Sequence, residues 1–476
     1  MIPRLNCAGL VLVGLAAAST LSAQGSNVMQ HGACATSMVS AGVASPCEDG
    51  SAVLFNPGGL ATQSSGVGIG VTLVNTAADF TYDISGDRAE RDPSLAPVPF
   101  GFANYRINDR LAAGFGLFAP YGLGIDWPMS FEGRFVTYET ELRNIYLQPT
   151  LAYEVAPWLS LGAGLDIVLG SIDLKQRIDL AEQVVVNPAT GQPVMNPVTN
   201  QPARFSNFGI PMGTDFADAH LAGDGTGFTF NVGAVARLSE MISVGIRYMH
   251  SAEIDYEGDA SFEQVPTGLE LGTGNPLGLP GGTPIDALLT PQFSGTGALI
   301  DQGLATSLTL PSQLVVGVAI RPVEQLKLLA DYQFTGWESF DVARIDFSSE
   351  NGRDSDLVLD YQDTHTWLFG AEYAVAPVLD LRAGFRFNTA AERDASVSPF
   401  LPEAERNYYT LGLGYDFLET MRLDLGYQLV DQSDRRGRVR NRASLDQTAE
   451  DLNVGVFSSE AHVFSVSVAY GFGPHR

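Results

Sequence analysis

The sequence is poor in positive charge. It holds 27 lysines and arginines against 54 aspartates and glutamates, which gives a formal net charge of −27. Because nucleic-acid binding relies on cations that neutralise phosphates, this balance excludes a nucleic-acid partner. Charged residues make up only 17% of the chain, and no change in composition divides it into separate soluble domains.

Long apolar runs are also missing from most of the chain. Residues 1–23 carry Arg4, the apolar run Ala8–Ala18 and then Ser22-Ala23, the order of a secretory signal peptide cut after Ala23. Beyond it, no apolar run reaches the ~20 residues that a membrane-spanning helix requires. An exported chain of this kind that enters a membrane must do so as a closed β-barrel.

Cysteine and histidine are scarce. Cys7 falls in the signal peptide, which leaves Cys34 and Cys47 in the exported chain. An even count in an oxidising compartment predicts a disulfide between them, with two reduced cysteines as the alternative. None of the six histidines belongs to a cluster with metal-ligand spacing, and His250-Ser251 would point to opposite faces of a strand. We therefore predict no enzyme activity, no metal and no cofactor.

What the sequence does contain is alternation of apolar and polar residues with a period of two. It is clearest in residues 144–153, 379–387, 421–429 and 464–472. Runs of this length are typical of strands that cross a bilayer at a tilt.

Short turns alternate with longer links between these segments. Turns are predicted near residues 108–109, 156–157, 239–240, 322–323, 376–377 and 418–419, and longer links at about 84–95, 128–137, 179–224, 265–306, 349–356, 390–406 and 433–460. Outer-membrane barrels have this asymmetry, with tight turns in the periplasm and long loops outside. We predict an all-β fold: an antiparallel transmembrane β-barrel of fourteen strands, with both termini in the periplasm. A soluble β-rich protein is the alternative.

One apolar stretch near the start interrupts regular structure. Directly after the apolar Phe55, Asn56 can bond its own backbone and Pro57 has no backbone N–H. The glycines Gly58 and Gly59 that follow permit positive φ. We predict that residues 24–62 form a hatch inside a barrel of residues 63–476. A hatch of this length would close the lumen, whereas a general porin, the alternative function, needs an open one.

Two predicted loops, 179–224 and 265–306, are candidates for substrate entry. The second is long and nearly uncharged and includes Leu288, Leu289 and Phe293. Apolar loops of this kind either pack on neighbouring loops or form an apolar groove that binds a ligand.

Several motifs follow one another as in a known family. The segment Phe55-Asn-Pro-Gly-Gly-Leu60 resembles the Asn-Pro-Ala hatch signature of the FadL family of outer-membrane transporters, with Gly58 in place of the family's Ala. Further matches, in family order, are Ala119–Trp127, Gly133-Arg134, Thr335–Phe340 and Leu401–Arg406. The resemblance covers roughly residues 32–472 and implies import of long-chain fatty acids or of aromatic or aliphatic hydrocarbons.

The family also implies a route. Substrate is caught by outer loops, passes a pocket above the hatch and leaves sideways through a kinked third strand. Pro120, Tyr121 and Gly122 are the predicted lateral gate, because Pro lacks a ladder donor and Gly favours bulges. A bulge that only ends pairing near the rim is the alternative.

Candidate substrate contacts are Lys175 and Arg177 for a carboxylate, and Leu288, Leu289, Phe293, Trp337 and Phe340 for an apolar body. Residues 355–361 carry no cation, which leaves recognition of a carboxylate open.

The remaining predictions concern partners. Five arginines lie close together near the C-terminus, and we expect them to contact lipopolysaccharide phosphates: Arg435, Arg436, Arg438, Arg440 and Arg442. A solvated loop is the alternative for this run. We further expect outer-membrane lipid around the barrel, insertion by the barrel-assembly machinery, and a monomer.

Overall fold

The fold is a closed barrel around an N-terminal segment. In the computed structural model the described residues are 29–91, 94–186, 192–196, 200–275, 277, 279–295, 297–349, 355–440 and 452–472. The predicted signal peptide lies outside them. Among the described residues, no helix has both the length and the hydropathy needed to cross a membrane.

Within the described residues, nineteen strand segments form one antiparallel sheet. The segments are β1 Gly66–Tyr82, β2 Arg88–Glu90, β3 Ser94–Arg106, β4 Leu111–Asp126, β5 Glu139–Ala156, β6 Leu159–Asp179, β7 Asp215–Arg237, β8 Ile242–Met249, β9 Ala252–Gln264, β10 Gln302–Leu310, β11 Gln313–Val323, β12 Leu326–Thr335, β13 Val342–Phe347, β14 Ser355–Val358, β15 Thr364–Ala376, β16 Leu379–Asn388, β17 Arg406–Leu418, β18 Met421–Arg438 and β19 Asn453–Gly471. Five consecutive pairs, β2/β3, β8/β9, β10/β11, β12/β13 and β14/β15, each make one interrupted barrel strand. The barrel therefore has fourteen strands, as predicted.

The first and last strands pair with each other. Their register runs from Gly66 opposite Gly471 to Tyr82 opposite Gly455, which closes the sheet into a barrel. Along β1, Ile69 is exposed on the outer face whereas Thr72 and Val74 are buried on the inner face. This period-two alternation gives the barrel its apolar outer surface.

Connections alternate in length, as predicted. Those of two to four residues lie at 107–110, 157–158, 238–241, 324–325, 377–378 and 419–420, at what we call the short-turn end. The others, at 83–87, 127–138, 180–214, 265–301, 348–354, 389–405 and 439–452, lie at the long-loop end. Two predicted loops, 179–224 and 433–460, were too long by more than ten residues. Strand β7 already begins at Asp215, because its pairing with β6 continues to that residue. Strand β18 extends to Arg438, because its pairing with β19 continues that far.

In the part of the chain that the structure describes, short helices occur in the N-terminal segment, in the loops and at the interruption between β12 and β13. The N-terminal segment contains α1 (Ala33–Thr36), α2 (Ala52–Phe55) and a 3-10 helix (Pro57–Thr62). The loops contain α3 (Ile285–Leu289) and 3-10 helices at Glu132–Phe135, Leu180–Glu182, Phe205–Phe208 and Thr290–Phe293, and a further 3-10 helix, Trp337–Ser339, lies between β12 and β13.

The hatch, defined here as residues 29–65, lies inside the lumen. Almost all of it is buried, including Val53, Leu54 and Leu60. Cys34 and Cys47 form the predicted disulfide, with their Cα atoms 6.3 Å apart. The hatch was predicted to span residues 24–62; residues 24–28 lie outside the described residues, and β1 begins at Gly66.

Asn56 ties the hatch to the barrel wall. Its Nδ2 donates to the carbonyl oxygens of Val43 (2.6 Å) and of Ala234 on β7 (3.0 Å), and its Oδ1 accepts from the N–H of Gly58 (3.1 Å). Because Asn56 is fully buried, its side chain satisfies groups that water does not reach.

Gly58 is a glycine because the wall leaves no room for a methyl group. A Cβ at this position would lie 3.0 Å from backbone atoms of Ala234, Gly233 and Ser160. From the wall side, a Cβ on Gly162 would lie 2.3 Å from the carbonyl carbon of Pro57. The departure from the family's Ala thus reflects a close approach between the hatch and strands β6 and β7.

Candidate transport path

An apolar cavity lies in the lumen between the hatch and the long-loop end. It has a volume of about 30 Å³. Its lining is Thr140, Leu142, Ile172, Leu174, Leu221, Leu304, Thr306, Leu308, Phe340, Ala343, Ile345, Leu357, Leu359 and Phe400. None of these side chains is charged. Pockets for small ligands occupy roughly 300–1,000 Å³, so the side chains around this cavity must move apart to admit one.

Two aromatic residues predicted as substrate contacts lie at the cavity. Phe340 is part of its lining, and Trp337 packs against Phe340 with ring centroids 5.7 Å apart. Both are buried, at 3% exposure. The 3-10 helix Trp337–Ser339 interrupts the strand between β12 and β13 and turns these rings inward.

The apolar residues of the 265–301 loop pack on the neighbouring 180–214 loop. Together they form an apolar cluster, called the loop cluster here, in which Leu289 is buried. Phe293 packs against this cluster, and the centroid of its ring lies 6.2 Å from that of Phe216. Leu288 is half-buried and is not a member of the cluster. Ile178 packs against both this loop cluster and the luminal core, so apolar contacts are continuous from the loops to the lumen.

The 389–405 connection folds into the lumen and closes it from above. Phe400 and Leu401 are buried, and Trp127 Nε1 donates to the carbonyl oxygen of Pro399 at 3.1 Å. Burial raises the pKa of the Glu392 carboxyl, on this connection, well above its ordinary value. Phe400 lines the apolar cavity, so this connection supplies part of the candidate binding site.

Two of the arginines predicted to contact lipopolysaccharide hold this connection in place. Arg435 donates to the carbonyl oxygens of Glu403 and Glu392, both at 3.0 Å, and Arg438 donates to that of Ala395 at 3.0 Å. The prediction that residues 434–438 lie in a loop is wrong, because they belong to strand β18.

The other arginines of the run also have partners within the chain. Arg440 pairs with Asp179 at 2.5 Å and lies over the ring of Phe135. Arg436, which is more than half exposed, pairs with Asp83 at 2.5 Å. Arg442 lies outside the described residues.

Lys175 and Arg177 are not in the cavity. Leu174 lines the cavity, and successive side chains of a strand point to opposite faces, so Lys175 and Arg177 face away from the lumen. Lys175 pairs with Glu139 at 3.0 Å, and Arg177 pairs with Asp218 at 3.4 Å. The structure therefore does not bring these two predicted carboxylate-binding residues to the apolar side chains.

The third barrel strand, β4, is kinked where it was predicted to be. In its ladder with β5, Phe118 lies opposite Tyr146 but Tyr121 lies opposite Asn144, which leaves one extra residue in β4 at Pro120. Beyond this bulge the side chains no longer alternate, and residues 120–125 are all buried. The second half of β4 has therefore moved inward from the wall.

The ladder between β3 and β4 ends at the kink. It runs from Arg106 opposite Ala112 to Gly101 opposite Leu117, and the described part of β3 makes no further pairs with β4. Pro97 and Pro99 lie in the part of β3 that does not pair with β4, and they have no N–H to donate. Because the ladder with β1 continues in register through both prolines, the missing donors face β4. These two prolines were not singled out from the sequence, although two prolines at a spacing of two in a strand are a signal.

The hatch fills this gap in the wall. The ring of His31, fully buried, lies between Phe100 of β3 and Phe118 of β4, with centroid distances of 6.3 and 6.1 Å. Nearer the long-loop end, Arg91 donates to the carbonyl oxygen of Gly124 at 2.8 Å. The gap is therefore closed by side chains rather than by a backbone ladder.

Tyr121 holds the kinked strand inward by reaching across the lumen. Its hydroxyl donates to the carbonyl oxygen of Pro311 at 2.8 Å and accepts from Gln313 Nε2 at 2.7 Å. Its ring meets that of Trp337 edge-on at 6.0 Å. Pro120 forms the kink, Gly122 follows it without a side chain, and Tyr121 anchors it.

Comparisons with known proteins agree with this architecture. Residues 14–472 match the family model described as outer membrane protein transport protein (OMPP1/FadL/TodX). Outer membrane protein P1 of Haemophilus influenzae is 24% identical over 77% of this chain and 73% of that protein. The long-chain fatty acid transport protein of Escherichia coli is 25% identical over 75% of each chain.

Solved structures share the fold. A FadL homologue from Pseudomonas aeruginosa superposes with a TM-score of 0.77 at 21% identity, over 94% of this chain and all of that one. The toluene transporter TodX of Pseudomonas putida superposes with a TM-score of 0.63 at 19% identity, over 96% of this chain and all of that one.

The family consists of transport channels and not of enzymes, in agreement with the prediction for this chain.

His250 makes contacts on the outer surface of the barrel. The ring of His250 stacks on Phe230 at 5.0 Å, and its Nδ1 lies 2.9 Å from the Tyr248 hydroxyl on the outer surface. A plugged barrel of fourteen strands, matched along nearly its whole length by one family model, identifies the chain as a member of the FadL/TodX family of outer-membrane transport proteins.

Proposed function

We propose that the protein carries uncharged hydrophobic molecules passively through the outer membrane, from the long-loop end to a lateral exit. In this proposal the long loops face the exterior, and the short-turn end and both chain termini face the periplasm. The observation that carries the proposal is an uncharged cavity linked by ring contacts to a gap in the barrel wall. The contacts run from Phe340 of the cavity lining to Phe118 at the gap through Trp337, Tyr121 and Tyr146.

Capture begins at the loop cluster. Apolar side chains of the 180–214 and 265–301 loops pack together there, and Ile178 packs against both this cluster and the luminal core. A hydrophobic molecule that separates the two loops stays in contact with apolar side chains until it reaches the cavity. About 25 cal/mol per Å² of buried apolar surface favours each step.

The lateral exit is supported by the missing ladder between β3 and β4. In lipid, an unpaired backbone group costs several kcal/mol, so such a gap is retained only where something covers it. His31 of the hatch now provides that cover, together with Phe100 and Phe118. Substrate leaves when these rings move aside.

The chemistry of the cavity favours hydrocarbons and other uncharged compounds over fatty-acid anions. The described lining contains no Lys or Arg, and the two predicted cations face the outer surface in ion pairs. An ionised carboxylate buried without a cation or hydrogen-bond donors is strongly disfavoured. The relatives named for fatty acids and for toluene share the fold and do not decide this point.

A general porin fits the structure less well, because the hatch and the 389–405 connection occupy the lumen. Assembly by the barrel-assembly machinery, a monomeric state and lipopolysaccharide contact at Arg436 and Arg442 stay predictions.

Uptake by whole cells tests the proposal, since the lipopolysaccharide leaflet is the barrier that slows hydrophobic compounds. Cells with and without the gene are compared for initial uptake of toluene, 1-decanol and decanoate, with a trisaccharide as the polar control. We expect uptake of toluene and 1-decanol to depend on the gene, and uptake of the sugar not to.

Ala343→Phe narrows the cavity, because Ala343 belongs to its lining. It should lower 1-decanol uptake several-fold, whereas Ala163→Phe on the outer face of β6 should leave it unchanged. Gene-dependent uptake of the sugar alone would identify a porin and overturn the proposal.

A further inference from the structure

A second interruption of the wall lies between the eighth and ninth barrel strands. The pairing of β10 with β13 covers only Leu304 to Thr306, and the pairing of β11 with β12 resumes at Gln313 opposite Thr335. Between these ladders, residues 307–312 and 336–344, all of them described, make no ladder pairs with each other. At the end next to Gln313, the Gly336 N–H donates to the Ser312 carbonyl oxygen at 3.0 Å. The 3-10 helix Trp337–Ser339 lies in this interval.

The interruption forms a groove on the outer side of the barrel. Its volume is about 580 Å³, within the range of small-molecule sites. The groove is lined by Glu253, Asp255, Tyr256, Glu257, Ala305, Thr306, Ser307, Leu308, Thr309, Ser339, Phe340, Asp341, Val342, Arg344, Asp346 and Leu359.

The floor of the groove is also the wall of the luminal cavity. Four residues line both: Thr306, Leu308, Phe340 and Leu359. Leu308, Phe340 and Leu359 are buried, at 6%, 3% and 4% exposure. A single layer of side chains therefore separates the outer groove from the cavity, where intact barrel wall would place a hydrogen-bonded backbone ladder.

The rim of the groove is acidic. Glu253, Asp255 and Glu257 project from the outer face of β9, and Asp341 and Asp346 lie on the opposite side. Arg344 is the cation among the lining residues, and it is already paired with Asp356 at 3.4 Å. The electrostatic potential at the rim of the groove is therefore negative, so the rim attracts cations and repels carboxylates.

The position of the groove sets the direction of passage. On β11 the outward side chains Leu314, Val316 and Ile320 form part of the apolar outer surface. The groove begins beyond them, at Thr309, and continues toward the long loops. It therefore opens above the apolar belt, on the side from which substrate arrives.

We propose that this groove is a side entrance to the luminal cavity, selective for hydrophobic molecules that carry an ammonium group. The acidic rim holds the ammonium while the apolar body crosses between Leu308 and Phe340 as the Phe340 ring turns aside. The ammonium then gives its proton to water at the rim and the neutral amine enters, because an unpaired charge is strongly disfavoured in the uncharged cavity. The entrance is separate from the loop cluster, and it rests on the proposed function of the cavity that it serves.

A matched series of ten-carbon compounds tests the entrance: decylamine, 1-decanol and decanoate, which differ only in the charge of the head group at neutral pH. Initial uptake is measured in the same cells that test the proposed function. Ser307→Trp blocks the groove from its outer side, and Ser261→Trp places the same side chain on the outer face of β9 outside the lining.

A second variant removes rim charge without adding bulk. Glu253→Gln, Asp255→Asn and Glu257→Gln are combined, and the control combines Asp224→Asn, Asp259→Asn and Glu263→Gln, three exposed acids outside the groove lining. Fast migration of the unheated protein on denaturing gels verifies that each barrel is assembled.

We expect Ser307→Trp to lower decylamine uptake at least fivefold, and rim neutralisation to lower the ratio of decylamine to decanoate uptake about tenfold, with 1-decanol changed less than twofold. Both controls should match the parent. If the assembled Ser307→Trp and rim variants keep the parental rates for all three compounds, the side entrance is refuted while the proposed function stands. If the parent itself carries none of the three above cells without the gene, the proposed function fails as well.

Discussion

The lumen above the hatch and the lumen below it are chemically opposite. Above the hatch, the described cavity lining is uncharged and includes Leu142, Leu221 and Phe400. Below it, the short-turn end is filled by ion pairs. The pairs are Lys327–Glu372 at 2.7 Å, Arg382–Glu372 at 2.7 Å, Arg382–Asp424 at 2.5 Å, Arg422–Asp416 at 3.1 Å and Arg422–Asp380.

This contrast favours the proposed lateral exit over passage down the lumen. The side chains of Arg382 and Asp424 are only 2% and 1% exposed, so a hydrophobic molecule moving downward would have to displace buried charges from their partners. Separating a buried ion pair costs several kcal/mol, and an apolar molecule offers no replacement. The gap beside β4, by contrast, is bordered by Phe100, Phe118 and the His31 ring.

The largest effect, on the free energy of unfolding, is expected from disrupting the ion pairs in the lumen below the hatch. Arg382→Met leaves Asp424 and Glu372 without their shared partner, and removal of one member of a buried pair costs about 3–5 kcal/mol of unfolding free energy. Urea unfolding of the purified barrel measures this loss.

The matched control is Arg436→Met, which removes an exposed ion pair with Asp83 and should cost about 0–1 kcal/mol. Uptake of 1-decanol should be unchanged in both variants. A large loss of uptake in folded Arg382→Met would mean that substrate passes through the charged region.

A smaller effect is expected where the hatch separates the two halves. Asn56→Ala removes the donors that bond Val43 and Ala234, and it leaves buried carbonyl groups unsatisfied. We expect hatch docking to weaken by about 1–3 kcal/mol and the lumen to leak small sugars. Sugar permeability of cells measures the leak.

Asn75→Ala is the matched control, because Asn75 is exposed on the outer face of β1. Permeability equal to that of the control would show that Asn56 is not what keeps the two halves apart.

The third prediction tests the apolar exit itself. Pro97→Val, Pro99→Val and Pro120→Ala together restore backbone donors on both sides of the gap, and β-branched residues favour strand pairing. Gly122 is kept, because a Cβ there would lie 3.3 Å from the Leu142 carbonyl oxygen. We expect 1-decanol uptake to fall at least tenfold, which corresponds to about 1.4 kcal/mol, with no loss of stability.

Pro149→Val, on the outer face of β5 away from the gap, is the matched control for this variant. Parental uptake by a stable triple variant would show that substrate leaves through the lumen past the hatch.

Much of the architecture was predictable from local patterns. Period-two alternation located the strands, and the alternation of short and long links gave a count of fourteen. Asn56-Pro57 marked the hatch, and Pro120 marked the kink, because both depend on backbone donors that are absent whatever the surroundings. The two cysteines of the exported chain were sufficient to predict the disulfide.

The site was less predictable, because it depends on which face of a strand enters the lumen and on partners far along the chain. Lys175 and Arg177 were assigned to the substrate, but their position in the strand turns them outward beside Glu139 and Asp218. Arg435 and Arg438 were assigned to lipopolysaccharide, but they bind the 389–405 connection more than thirty positions earlier in the chain.

By itself the sequence determined the strands, the hatch and the kink, since each follows from backbone chemistry and from the polarity of residues close together in the chain. Only the tertiary structure decided that His31 closes the gap, that Phe400 enters the cavity and that Tyr121 reaches Pro311. The physical reason is closure of the sheet. Once β1 pairs with β19, the barrel brings side chains from distant strands into one lumen, and no local pattern encodes which of them meet.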